Sequence, residues 1–168
     1  GDYKAFGDTL ERQVMFGAFE CIINWYSKHT RSCEDSQRYR RVLVEELFNC
    51  YHLCSNVLYQ MCCGIPSGFA LTVEINDLVN QLYMRYCWKK ITRLPMSMFY
   101  RHVKCITYGD DIIMSVSDEM IDSFNFRTIQ HCLECYNIKF QPASKDDLVY
   151  EKLSLWEVTF LKCHFVRH

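Results

Sequence analysis

Val103-Lys104-Cys105-Ile106-Thr107-Tyr108-Gly109-Asp110-Asp111-Ile112-Ile113-Met114-Ser115-Val116 is the stretch whose reading decides the fold. Val103, Cys105 and Thr107 lead into a polar turn containing a glycine, and residues 112–116 lead out of it. Two β-rich runs around such a turn are the mark of a hairpin. The turn sets Asp110 and Asp111 side by side at the tip of a rigid ribbon. Carboxylates that close repel strongly unless a cation lies between them. Hard divalent cations such as Mg2+ take carboxylate oxygens and keep open positions for phosphate oxygens. A solvated turn is the plainer reading of the same residues, because Gly and Asp are common in turns.

Outward from this hairpin the chain mixes helices and antiparallel strands. Downstream, the pattern predicts a helix over about 118–136, a strand over 138–141 and a second hairpin over 152–166. Upstream, a long helix is expected over about 67–90, with Leu71, Ile75, Leu78, Leu82 and Tyr86 on its apolar face and Pro95 closing the region. Before it come a loop at 61–66 and a helix from a Ser32/Asp35 capping pair to about Cys54, with Leu43, Leu47, Tyr51 and Cys54 on one face. A first helix spans about 9–27 on Phe16, Phe19, Ile23 and Tyr26. Without strict βαβ alternation the class is α+β, and no repeat or linker divides residues 1–168.

Composition narrows the function classes. The chain has 168 residues, 49% hydrophobic, enough for one core. Its 6 Gly and 3 Pro exclude collagen-like and low-complexity disordered classes. No apolar run approaches the roughly 20 residues that cross a bilayer. Net charge is −1, so any nucleic-acid site is a local patch. The 11 cysteines are odd in number and unframed, which points to reduced, buried thiols in a cytosolic compartment. His131-Cys132-Cys135 and Cys50-His52-Cys54 lack the paired ligand clusters of a strong zinc signal.

Two further segments bear on chemistry. Asp2 offers a third carboxylate if its strand lies beside the hairpin; metal pairs about 3.5–4 Å apart serve in-line displacement at phosphorus. Alone, Asp2 is an acidic residue near a helix start. Gly68, Thr72, Asn76 and Asn80 fall four residues apart and form a small, polar stripe next to a Gly-Pro loop, suited to a sugar and phosphate. The bland alternative is a solvated helix face.

Together these segments resemble the palm domain of viral RNA-dependent RNA polymerases of the picornavirus-like group. Asp2-Tyr3-Lys4-Ala5-Phe6 resembles motif A, Ser67-Gly68-x-x-x-Thr72-x-x-x-Asn76 motif B, and Tyr108-Gly109-Asp110-Asp111 motif C. Pro142-Ala143-Ser144-Lys145 is similar to motif D, and Phe160-Leu161-Lys162-Cys163-His164-Phe165 to motif E. The five stand in the family's order across nearly the whole chain.

The resemblance implies a function and its residues. Asp2, Asp110 and Asp111 would hold two Mg2+ ions, for which Mn2+ can substitute, with Tyr3 and Lys4 beside them. Ser67 and Gly68 would form a mobile loop against template and nucleotide. Thr72 and Asn76 would recognise the ribose 2′-hydroxyl. Lys145 would be the general acid for departing pyrophosphate; its plainer reading is a solvated lysine beside Asp146 and Asp147. Phe160, Leu161, Lys162 and Cys163 would grip the nascent strand. The family places a second Asp five residues after the first; here Gly7 stands there and Asp8 one residue later, so Asp8 is a candidate for that role. Residues 2–7 look like the arthropod picorna-like type, iflavirus or dicistrovirus.

The implied partners are template and nascent RNA, NTPs, and the rest of the fingers and the thumb of a parent enzyme, residues of about 9–60 being part of the fingers. The implied setting is replication of a positive-strand RNA virus genome, within a polyprotein product, in complexes in the host cytoplasm. The chain reads as a piece of that enzyme, inactive by itself. A reverse transcriptase palm and a Cys-rich zinc or interaction module are the rival readings.

Overall fold

The computed structural model describes residues 2–31, 33–61, 63–66, 68–142 and 152–167, at Asp2 the backbone only. The chain opens with strand β1 (Asp2–Tyr3), a single turn α1 (Phe6–Thr9) and the helix α2 (Arg12–His29). In α2, Met15, Ala18, Phe19 and Ile23 are buried at spacings of three to four residues, as expected of one core-facing stripe. Tyr26, expected on that stripe, is exposed and carries the Arg40 guanidinium 4.7 Å above its ring.

Helix α3 (Glu34–Phe48) starts at Cys33, with Glu34 and Asp35 favouring its N-terminus through the helix dipole. Ser32, expected in the cap, lies outside the described residues. The helix also ends earlier than its periodicity indicates. Asn49 turns its Nδ2 back onto the Glu45 carbonyl at 2.7 Å, and a hairpin of β2 (Tyr51–Cys54) and β3 (Val57–Gln60) follows. Tyr51 and Cys54 therefore belong to a strand, and the buried residues of α3 are Val44 and Phe48.

Helix α4 (Thr72–Thr92) is the axis of the molecule, packed against α2 and against elements that follow it. It begins at Thr72, five residues after the expected start; before it Gly68 adopts φ +91°. Its buried residues are Ile75, Val79, Asn80, Tyr83, Met84, Cys87 and Trp88. Neighbours on several sides bury more of the helix than one stripe, whereas Leu71 and Tyr86 are exposed. Pro95 does not only end this region: it caps a short helix α5 (Met96–His102) that sequence periodicity missed.

Then comes the hairpin of β4 (Val103–Tyr108) and β5 (Asp111–Val116), paired from Val103↔Val116 to Tyr108↔Asp111. Its open end is clasped: the Ser117 N–H donates to the His102 carbonyl at 2.9 Å, and His102 Nδ1 lies 2.8 Å from Ser117 Oγ. Turns occupy the first part of the expected fourth helix; α6 (Phe126–Glu134) starts only where Asn125 and Thr128 form a capping box. Strands β6 (Phe140–Gln141), β7 (Thr159–Phe160) and β8 (Cys163–His164) complete the described chain.

Among the described residues the strands form four antiparallel pairs, β1–β6, β2–β3, β4–β5 and β7–β8. The α+β class holds. Trp88 sits at the centre, its ring edge-on to Phe99 and Phe124 at 5.7 and 5.2 Å. The expectation of buried cysteines needs correcting: Cys87 alone is buried among the described ones, while Cys21, Cys33, Cys54, Cys63, Cys135 and Cys163 are exposed, and all are free thiols. No helix among the described residues is long and apolar enough to cross a membrane.

Candidate active site

The β4–β5 turn is built around Gly109, whose φ of +62° is a left-handed conformation that glycine adopts without strain. With Gly109 first and Asp110 second, a two-residue loop of this kind matches the twist of the flanking strands. It leaves the Asp110 side chain exposed and starts β5 at the half-buried Asp111.

Strand β1 does not join this ladder. It pairs with β6, Asp2 opposite Gln141 and Tyr3 opposite Phe140, and the Lys4 N–H extends the pairing to the Lys139 carbonyl at 3.0 Å. It nevertheless lies against β5. Tyr3 is buried with its ring 4.4 Å from Phe6 and 4.9 Å from Phe140. Its hydroxyl donates to Asn80 Oδ1 at 2.9 Å, and Asn80 Nδ2 donates to the carbonyls of Gly109 and Asp110 at 3.2 and 3.1 Å. Burial, helped by Cys87, Tyr83, Cys105 and Asp110, pushes the pKa of the Tyr3 phenol well above its ordinary value, so it remains a donor.

One residue on, Gln81 Nε2 donates to Thr107 Oγ1 at 2.8 Å, and the Arg85 guanidinium donates to the Gln81 carbonyl at 2.8 Å. The Cys105 thiol beside them is raised to about 11, chiefly by burial, with Arg85 opposing and Asp77 adding. Helix α4 thus holds both the turn and one strand of the hairpin.

The expected motif B residues divide. Ser67 lies outside the described residues. Gly68 is exposed in the loop, not on the helix. The Thr72 hydroxyl is turned onto its own loop, donating to the Phe69 carbonyl at 2.7 Å. Asn76 is half-buried, and its Oδ1 is a buried atom with no hydrogen-bond partner among the described residues, as is Asp77 Oδ1. The stripe of Thr72, Asn76 and Asn80 is therefore no solvated face at its far end: Asn80 is 0% exposed.

Lys4 and Asp8 are exposed. The Asp8 carbonyl accepts from the Cys63 thiol at 3.3 Å, and the Ile65 and Gly64 N–H groups donate to the carbonyls of Gly7 and Leu10. Gly64 has φ +81°, and a Cβ there would lie 2.7 Å from the Gly7 carbonyl oxygen. Lys145, with Ala143 and Ser144, lies outside the described residues. Phe160 is half-buried in β7, which lies against β5, while Leu161, Lys162 and Cys163 are exposed, the first two forming the hairpin turn at φ 51° and 60°.

The hairpin tip offers oxygen donors, the set that suits Mg2+ or Mn2+ and not a thiolate-bound metal. Among the described residues no three His, Cys, Asp or Glu side chains gather where a metal could be held, which includes both Cys/His groups considered for zinc. The candidate third carboxylate for the tip is Asp2, whose backbone stands in β1.

A mixed helical and antiparallel fold with an aspartate-tipped hairpin held on a central helix is that of a polymerase palm. The chain belongs to the viral RNA-dependent RNA polymerase family, matched over residues 1–168. It is 38% identical over 170 residues to the genome polyprotein of Deformed wing virus, an iflavirus, which covers 100% of this chain and 6% of the polyprotein. With the RNA1 polyprotein of Beet ringspot virus the identity is 33% over 169 residues, 99% of this chain and 7% of that one. Among solved structures, a Sicinivirus 3Dpol RNA-dependent RNA polymerase superposes with a TM-score of 0.75 at 25% identity, over 98% of this chain and 33% of its own. The chain therefore spans a small part of the length of each relative. Family membership favours the RNA-polymerase reading over the reverse transcriptase and zinc-module ones.

Proposed function

We propose that this chain is the catalytic palm core of an RNA-directed RNA polymerase that replicates a positive-strand RNA virus genome in the host cytoplasm, residues of about 9–60 being part of its fingers. The observation that carries the reading is the approach of β1, which contains Asp2, to β5, which begins with Asp111. In template-directed nucleotidyl transfer the RNA 3′-oxygen bonds to the α-phosphorus of an NTP, the bond to the bridging oxygen breaks, and pyrophosphate leaves. Mg2+, or Mn2+ in its place, held by Asp2, Asp110 and Asp111, would activate the attacking oxygen and neutralise the leaving one.

The chain's own residues do the rest of the work. The Oδ1 of Asn76, without a hydrogen-bond partner among the described residues, suits a ribose hydroxyl, since a buried acceptor gains most from a new donor. The loop at Gly68 approaches template and nucleotide, and Phe160, Leu161, Lys162 and Cys163 hold the nascent strand. Lys145 gives a proton to pyrophosphate. With a net charge of −1, the grip on duplex RNA falls largely to the remaining fingers and the thumb.

The test is Asp110→Asn in the full-length parent polymerase. RNA elongation should be lost while RNA binding and thermal unfolding stay native; normal synthesis would overturn the assignment. Lys145→Leu in the same enzyme should slow single-turnover incorporation by about 10² to 10⁴-fold with little change in nucleotide affinity. An unchanged rate would return Lys145 to the solvated surface.

A further inference from the structure

Asn80 is a fully buried polar residue in a helix otherwise buried through apolar side chains and one tyrosine. An unsatisfied amide there would be costly, and this one is fully used. The carbonyls of Gly109 and Asp110 can only accept, so Nδ2 must face them and Oδ1 must face the Tyr3 hydroxyl; the orientation follows from the partners. Both carbonyls belong to the central residues of the turn, outside the β4–β5 pairing, which closes at Tyr108↔Asp111.

We propose that Asn80 is a positioning residue for the metal site, its side-chain amide bridging β1 and the aspartate turn and so setting the distance between Asp2 and Asp110. The inference rests on the polymerase reading above. Tyr3 follows Asp2 directly, and consecutive Cα atoms are held about 3.8 Å apart, so an anchor on Tyr3 fixes the backbone of Asp2 as well. Strand β1 pairs with β6 and not with β5, and the amide links Tyr3 to the turn through three hydrogen bonds. An amide is also neutral. A carboxylate or ammonium at this place would change the cation's affinity through its charge, whereas Asn80 sets geometry without adding any.

The experiment measures Mn2+ binding by electron paramagnetic resonance in the full-length parent polymerase, together with the metal concentration that half-saturates elongation. Asn80→Ser should weaken Mn2+ binding by about tenfold, the lower range for outer-shell partners of metal ligands. At saturating metal the KM for NTP should stay as in the native enzyme. Tyr3→Phe keeps the ring packing and removes one donor, so it should shift the metal requirement in the same direction by less, and the double variant should add little to Asn80→Ser. Native metal binding in Asn80→Ser, or a lowered thermal midpoint with metal binding intact, would overturn the proposal. If Asn80→Ser does not fold, Tyr3→Phe decides, and an unchanged metal requirement there overturns it. Asp110→Asn is the control for the underlying reading: if that variant binds Mn2+ normally, the metal site itself is misplaced, and the proposal falls with it.

Discussion

Hairpin β4–β5 has one face on α4, where Asn80 takes the turn and Gln81 takes Thr107, and its open end is clasped by His102 and Ser117. Hairpin β2–β3 has the same strand pairing and an equally short turn, yet every strand residue except His52 is exposed. Backbone ladders fix which residues face one another, and both hairpins have that. They do not fix where a hairpin stands in the molecule. Of the two, β4–β5 is the one held in place by side chains from a neighbouring helix, and it is the one with aspartates at its turn.

The contrast can be broken by substitution. Ile112→Ala, at a buried position in β5, should lower unfolding free energy by about 2–5 kcal/mol in urea titration. A loss near zero would mean that this hairpin is no better seated than the other. Gly64→Ala puts a methyl against the Gly7 carbonyl in a left-handed conformation, and should cost about 1–3 kcal/mol. Its effect tests whether the loop before Gly68 is docked on the segment after Tyr3.

Alkaline titration sharpens the comparison further. The half-buried Cys105 thiol is raised from 9.0 to about 11, so the unfolded chain gives up that proton first. The resulting stabilisation is complete below pH 9 and is lost as pH rises towards 11, with Tyr3 acting in the same sense above pH 10. The urea midpoint should fall across that range, and less steeply in Cys105→Ala. At pH 8, iodoacetamide should label Cys54 and Cys163 well before Cys105 and Cys87, as peptide mass spectrometry would read. Smallest of all, Leu53→Ser at a site 74% exposed in β2 should change stability by no more than about 0.5 kcal/mol.

The two hairpins also differ in how readily the sequence betrays them. Gly109 between β-rich runs announces β4–β5. Leu43, Leu47, Tyr51 and Cys54 happen to sit at helical spacings, and Ser55-Asn56 carries no glycine, so β2–β3 reads as more of α3. Pro95 is legible as a helix stop but equally well starts α5, since both positions tolerate a missing N–H. Asn80 was visible as the last member of a polar stripe, but its burial was not. A stripe of Gly, Thr and Asn implies a wet face, and only the packing of β4–β5 and β1 onto α4 turns its end inward. The acidic tip, the α+β class and the order of the motifs needed no tertiary information, because each lies within a few neighbouring residues.

The Gly64 N–H bonds the Leu10 carbonyl at 3.1 Å, and the Ile65 N–H bonds that of Gly7 at 3.0 Å. The segment from α2 to β3 thus starts and ends at one doorway, although α2 and α3 contribute buried residues to the core. Closing a flexible loop costs only about 0.6 kcal/mol more for each doubling of its length. Provided α2 keeps its seat on α4, residues can be gained or lost around β2–β3 without shifting either doorpost. The number of residues separating Asp2 from Gly68 is then free to drift between related chains, while the spacing from Thr72 to Asn80, wound into a single helix, is not.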